Sequence, residues 1–295
     1  MVDFLSQYSI QRWLEMCPQG YLDDTIDGHD PGLTEPEDVL GNEAMREAAI
    51  KTTVQLIAGE RCALAASSGL VNLAPDYGSK TFLATQVLDE ARHVEIFTNR
   101  LYDLGVKKAD LESTIAQFAN PNLVKFAETL LEKIDGGDFL AGVVGQNIVL
   151  EGMAFSVFEM LQATSKDPNP KFAQTLAGTI ADERRHVGFG ENRIGGLIAQ
   201  HPERKSDIER MQAEMSYHML ATFSDTFRGD GGTSNTYAQE ASSRAGSSSV
   251  EWQGTQLSTA SPAELEALLA NTVLGEFKTR LGRIGLDYQS PSLPV

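Results

Sequence analysis

The tightest constraint on this chain is a phrase written twice. Val87-Leu-Asp-Glu-Ala-Arg-His-Val94 returns as Ile180-Ala-Asp-Glu-Arg-Arg-His-Val187, so Asp-Glu-x-Arg-His occurs in both copies. On an α-helix, residues three apart project from the same face. Glu90 can therefore hold one metal ion together with His93, and Glu183 together with His186. Two such pairs need a fold that turns two helix faces toward each other.

Each copy is preceded by a long proline-free stretch that carries one glutamate among apolar residues. Glu60 lies in the stripe of Ala49, Leu56, Ile57 and Leu64, and Glu151 lies amid Val144, Ile148, Val149, Leu150, Phe155 and Phe158. An ionised carboxylate inside such a stripe costs several kcal/mol unless it is paired or metal-bound. Thirty residues separate Glu60 from Glu90, and 32 separate Glu151 from Glu183. Two antiparallel hairpins with arms of that length bring each lone glutamate level with a Glu-x-x-His pair. The six candidate ligands are Glu60, Glu90, His93, Glu151, Glu183 and His186. Carboxylates and imidazoles suit two iron ions, or one manganese and one iron, and the motif contains no thiolate. Metal-bound histidines commonly pass their other N–H to a carboxylate. Asp89 and Asp182 are expected to receive it, each from the histidine of the opposite copy, with Arg92 and Arg185 balancing the charge.

Helical periodicity and punctuation set the rest. Asn42 caps a first helix to about Leu73. A second follows Pro75-Asp-Tyr-Gly78 to about Leu104 and ends at Gly105. Pro121 opens another helix to Ile134, broken by Gly136-Gly137. A third long helix runs from Asp138 to about Ala163. After Asp167-Pro-Asn-Pro170 a fourth extends to about Gln200, and one more covers Glu203 to Phe227. A short helix around Trp13, a loop from Asp23 to Pro36 and a final helix from Ala263 to Leu281 complete the reading. No period-2 strand is evident. The expected class is all-α, with a helical dimetal domain over 1–228, a flexible linker over 229–259 and a C-terminal helix and tail over 260–295.

A net charge of −17 and a pI near 4.7 argue against nucleic acid or an anionic membrane surface as partner. No basic n-region leads into an apolar core at Met1–Gln11, and the most apolar run, Phe139–Leu150, contains Gln146 and Asn147 and is too short to span a bilayer. The two cysteines, Cys17 and Cys62, form no framework. A cytoplasmic location is expected. Glu95 and Glu191 read as solvated, Glu159 as a polar neighbour of the site, and His201 and His218 as ordinary surface or core histidines.

With Glu60, Glu90-x-x-His93, Glu151 and Glu183-x-x-His186 in both Asp-Glu-x-Arg-His contexts, residues 42–200 resemble the ferritin-like dimetal-carboxylate superfamily. Within it the resemblance is to the ribonucleotide reductase small subunit, its ligand-binding oxidase relatives and the bacterial multicomponent monooxygenases. It implies a ferritin-like four-helix bundle with extra helices. It also implies O2 as co-substrate, a small and partly apolar organic substrate, electrons from a ferredoxin or reductase, and leaves room for a homodimer. Departures narrow it. Phe97 stands where the usual small subunit carries its radical tyrosine, Gln146 and Cys62 lie near the oxidases' Tyr–Val cross-link, and Phe155 replaces the monooxygenases' threonine. The expected activity is a dimetal oxidase or monooxygenase, with a radical-generating small subunit as the alternative and a cage-forming ferritin as a third class. Ala63, Phe97, Phe155, Phe158 and Phe189 are the candidate pocket wall.

Overall fold

The structure, a computed structural model, describes residues 27–228, 251–256 and 260–289. The helix expected around Trp13, Cys17 and most of the segment 229–259 lie outside them. After a loop and the short helix α1 (Glu37–Gly41), α2 spans Glu43–Leu73 and α3 spans Tyr77–Asp103. Asn42 starts α2 by accepting from the Ala44 and Met45 amides, and Asp76 starts α3 by accepting from Ser79. Gly105, at φ +93°, turns the chain out of α3. The short α4 (Leu111–Phe118) and α5 (Pro121–Asp135) follow.

Next comes α6, Phe139–Ser165, which is continuous but not uniform. Its middle, Val144–Leu150, is π-helical, and regular α-helix resumes at Glu151. It is long and apolar enough to cross a membrane by length and composition alone, but 89% of its most apolar window is buried inside the bundle. Then α7 (Pro170–Gln200) and α8 (Lys205–Arg228) complete the chain up to the undescribed segment. The hairpins α2/α3 and α6/α7 form the four-helix core, as the two near-equal gaps predict, and α5 and α8 pack on its flank.

One departure concerns the C-terminal third. Within the stretch read as linker, Glu251–Trp252 (β1) pairs antiparallel with Thr255–Gln256 (β2). Gln253 and Gly254 take positive φ in the two-residue turn, and Trp252 is buried in the main core cluster. A large aromatic supplies enough burial to fix a hairpin that its Gly- and Ser-rich surroundings conceal. The final helix α9, Pro262–Arg283, opens with a Ser261–Glu264 capping box. Its Leu269, Val273, Phe277 and Leu281 join the same core, mainly against the Glu151–Ser165 half of α6.

Candidate metal centre

Four helices each bring one carboxylate to the middle of the bundle: α2 brings Glu60, α3 Glu90, α6 Glu151 and α7 Glu183, and all four are buried. His93 and His186 are fully enclosed beside them. Their ligand atoms fall into two groups, Glu60–Glu90–His93–Glu183 and Glu90–Glu151–Glu183–His186, within each of which no two atoms lie more than 4.8 Å apart. Glu90 and Glu183 belong to both, so each can bridge. His93 Nδ1 is 3.2 Å from Glu60, 3.4 Å from Glu90 and 3.3 Å from Glu183. His186 Nδ1 is 3.3 Å from Glu90, 3.6 Å from Glu151 and 3.4 Å from Glu183.

The far nitrogens of the rings turn to the aspartates in a crossed pattern. His93 Nε2 lies 3.2 Å from Asp182, and His186 Nε2 lies 3.2 Å from Asp89. Arg92 donates to Asp182 at 2.6 Å, while Arg185 donates to Asp89 at 2.8 Å and also to Asp182. All four residues stand where the sequence reading puts them. The crossing follows from the i−1 offset of each Asp, which faces it across to the neighbouring helix rather than along its own.

Whether the set fits metal ions can be judged from the atoms that lack partners. Among the described residues, Glu90 Oε2, Glu183 Oε2 and His186 Nδ1 are buried without a hydrogen bond. Leaving such atoms bare costs about 1–3 kcal/mol each, and all three aim into the centre of the donor set. The set is all oxygen and imidazole nitrogen, the donors that iron and manganese accept. Cys62 is buried nearby, and burial, then the charges of Glu90 and Glu151, push its thiol up to about 12, which keeps it from competing as a thiolate.

Protonation in the metal-free chain shows how charge is held. Burial pushes the Glu60 carboxyl up to about 8 against the pull of His93. Burial raises Glu151 well above the carboxylate range too, with Glu183 adding to it. Burial alone would raise Glu183, but His186 and His93 together outweigh it and hold that carboxyl down at about 2. Burial opposes charge on the two imidazoles. Even so, the surrounding carboxylates, Glu60 first for His93 and Glu90 first for His186, lift both well above the ordinary histidine value. Protons occupy the places that cations would take, and binding metal must release them.

Three amides complete the centre, and the sequence reading does not single them out. Gln86, Gln146 and Asn147 are fully enclosed and all donate to Glu151. The available signal is the presence of Gln146 and Asn147 in an otherwise apolar run, and of Gln86 one turn before Glu90.

A cavity of about 60 Å³ opens on the glutamate side, away from the histidines. Glu60, Glu151 and Glu183 form its floor, and Gly59, Ala63, Leu150, Ala154, Val157 and Phe158 are among its walls. Of the five expected wall residues, Ala63 and Phe158 line it; Phe97, Phe155 and Phe189 do not. Phe97 is core packing behind Phe158, with ring centroids 6.4 Å apart. Phe155 faces Arg280 of α9, and Phe189 stacks on Phe82 at 4.3 Å on the histidine side. Aromatic residues close to a ligand in sequence point around the whole helix, and only those facing α2 and α8 reach the cavity. Of the residues set aside, His201 is exposed beside Glu203 and Glu159 is half-buried near Arg280 and Arg184.

No family model matches the sequence, and no curated protein matches it. Solved structures do match. An R2-like ligand-binding oxidase with an aerobically reconstituted metal cofactor after photoconversion is 17% identical, with 96% of this chain and 95% of that chain covered and a TM-score of 0.67. A variant of such an oxidase with an aerobically reconstituted Mn/Fe cofactor gives 17%, 96%, 95% and 0.67. A protein from Synechococcus with aldehyde deformylating oxidase activity is 17% identical over 84% of this chain and 94% of its own, with a TM-score of 0.61. The chain has the ferritin-like helical fold that these oxidases share.

Proposed function

We propose that the protein is an O2-dependent dimetal-carboxylate oxidoreductase, an oxidase or monooxygenase acting on a small, partly apolar organic molecule. One observation carries this reading: three carboxylates of the buried six-donor set, Glu60, Glu151 and Glu183, form the floor of a mostly apolar cavity. Two ions of iron, or one of manganese and one of iron, would supply the electrons that reduction of O2 requires, and the Mn/Fe cofactor named for a solved structure of the same fold supports that pair. The chain's own contribution is enclosure and orientation. Gly59, Ala63 and Ala154 leave space above the glutamates, and Leu150, Val157 and Phe158 keep water from it. Electrons beyond those the substrate gives come from a separate donor, a ferredoxin or a reductase.

The test is a metal and O2 balance. Protein loaded anaerobically with ferrous iron should hold two ions per chain, one for each donor group. It should also consume O2 faster than a Glu183→Ala variant, which loses a ligand common to both groups. Equal metal content or equal O2 uptake in the two proteins would remove the basis for this function.

A further inference from the structure

Gly59 and Gly69 both stand inside α2, and they are there for different reasons. Glycine in a helix interior costs about 1 kcal/mol relative to alanine, so each calls for a cause. At Gly69 the cause is packing, since a Cβ would stand 2.5 Å from Cγ2 of Ile134 on α5. At Gly59 it is not: among the described residues, a Cβ there would meet nothing within 4 Å. What Gly59 faces is the cavity. Gln55, Gly59 and Ala63 follow one another at helical spacing on one face of α2 and all line it, and the neighbouring Glu60 is part of its floor.

The polar side chains of the wall are engaged with backbone. The Gln55 amide donates to the carbonyls of Phe118 at 2.5 Å and Lys51 at 3.4 Å and accepts from the Asn120 amide at 2.9 Å, which pins the start of α5 to α2. The Thr222 hydroxyl donates to the His218 carbonyl at 2.9 Å. The other wall residues are apolar. Above the floor carboxylates, an occupant of this space therefore meets hydrocarbon. The space is also narrow. Its volume of about 60 Å³ is less than half of the roughly 150 Å³ of an apolar cavity that takes benzene.

We infer that Gly59 is a specificity-determining residue: its missing side chain keeps the space beside Glu60 open, and the part of the substrate that enters there is a slender alkyl group rather than an aromatic ring. A methyl group added at position 59 narrows that space without pressing on the rest of α2's surroundings. A larger side chain fills it from the middle of the helix face that lines it. The inference rests on the dimetal reading and adds to it the chemical class of the group that lies over the carboxylates.

Xenon tests this on the metal-free chain without turnover, because it enters small apolar cavities by size alone. Xenon NMR of the wild type should show a bound population that ethane displaces and benzene does not. Gly59→Ala should weaken xenon binding while keeping or raising the melting temperature through helix propensity, and Gly59→Leu should lose the bound population. At Gly188, exposed on α7 and outside the cavity lining, a Cβ also meets nothing within 4 Å, so Gly188→Leu should bind xenon as the wild type does. Unchanged xenon affinity in Gly59→Ala would overturn the inference, and that arm does not depend on the larger variant folding. No bound xenon in the wild type, displacement by benzene, or an equal loss in Gly188→Leu would overturn it as well. Ferrous iron counted on the wild type keeps the two failures apart. Any of these results beside two ions per chain removes the specificity claim alone, whereas fewer than two ions removes the dimetal reading with it.

Discussion

Asp182 serves three neighbours at once, with Oδ2 lying 2.6 Å from Arg92 and 3.2 Å from His93 and Oδ1 accepting from Arg185. Arg92 is among the largest fully buried side chains of the protein. Replacing Asp182 by Asn keeps an acceptor for the ring but removes the charge. Metal affinity at the His93 group should then fall about 10–100-fold, with a smaller effect at the His186 group. Asp182→Ala should add a folding defect of about 3–5 kcal/mol, because a buried guanidinium loses the carboxylate it was buried against. Asp89 is the internal control: its partner Arg185 has a side chain 51% exposed, and water can replace the lost carboxylate there. Urea unfolding of Asp182→Ala and Asp89→Ala side by side checks the contrast, and equal losses would contradict it. At this scale the sequence was most readable. Glu-x-x-His spacing is set by helix geometry, so the six residues that the bundle brings together could be placed from spacing, and the aspartates from the habit of metal-bound histidines of passing their other N–H to a carboxylate. The amides could not, because glutamine and asparagine carry no spacing rule and their partners come from other helices.

The element that resisted reading is α6. Val144–Leu150 is an apolar run whose composition is the same for α- and π-helix, so nothing in it announces the wider turn. What fixes the turn is tertiary: the run packs against neighbours that require small residues. A Cβ on Gly190 of α7 would stand 2.5 Å from Cβ of Asn147, and one on Gly145 would stand 2.6 Å from Leu130. At Gly190 the obstacle is the root of a side chain, which cannot swing aside without moving the backbone. Gly190→Ala should therefore destabilise the protein by about 1–3 kcal/mol, the usual range for overpacking. It should also weaken metal binding at the His186 group by shifting Asn147 away from Glu151. Gly188→Ala, two residues earlier on the same helix, has nothing within 4 Å and should be neutral or slightly stabilising through helix propensity. Thermal melts of the two variants with and without metal separate the effects. A Gly190→Ala protein as stable and as metal-competent as the wild type would show that the π-helical stretch tolerates displacement.

The whole bundle is organised around buried charge, and that makes its stability depend on what fills the centre. The core is continuous from α2 to α9, with Trp252 and Phe277 contributing from regions that composition alone separates from it. Composition misleads there because a linker is recognised by what surrounds an anchor, while burial depends on the anchor itself. Inside this core the metal-free chain keeps its acids and bases neutralised by proton sharing, and the pH consequence has a definite sign. The Glu60 carboxyl, raised to about 8 in the folded chain, stays protonated where the unfolded chain ionises near 4.5, so folding weakens as pH climbs between those values. His93 and His186, raised by their carboxylate neighbours, stabilise the fold fully below 6.5 and lose that contribution as pH rises through their folded values. Glu183 acts only in acid: its contribution is present above 4.5 and is lost as pH falls toward about 2. Above the carboxylate range all the opposing shifts therefore point one way. Metal-free protein should lose roughly 5–10 °C of melting temperature between about pH 6 and about pH 8.5. Metal-loaded protein should melt higher, and its advantage should widen over the same interval, because ions that displace the protons bind more tightly as pH rises. Calorimetry on the two forms at both pH values decides the matter. A metal-free chain that keeps its melting temperature, or a loaded chain that falls in parallel with it, would mean that the buried carboxylates and imidazoles do not hold the shared protons this geometry assigns to them.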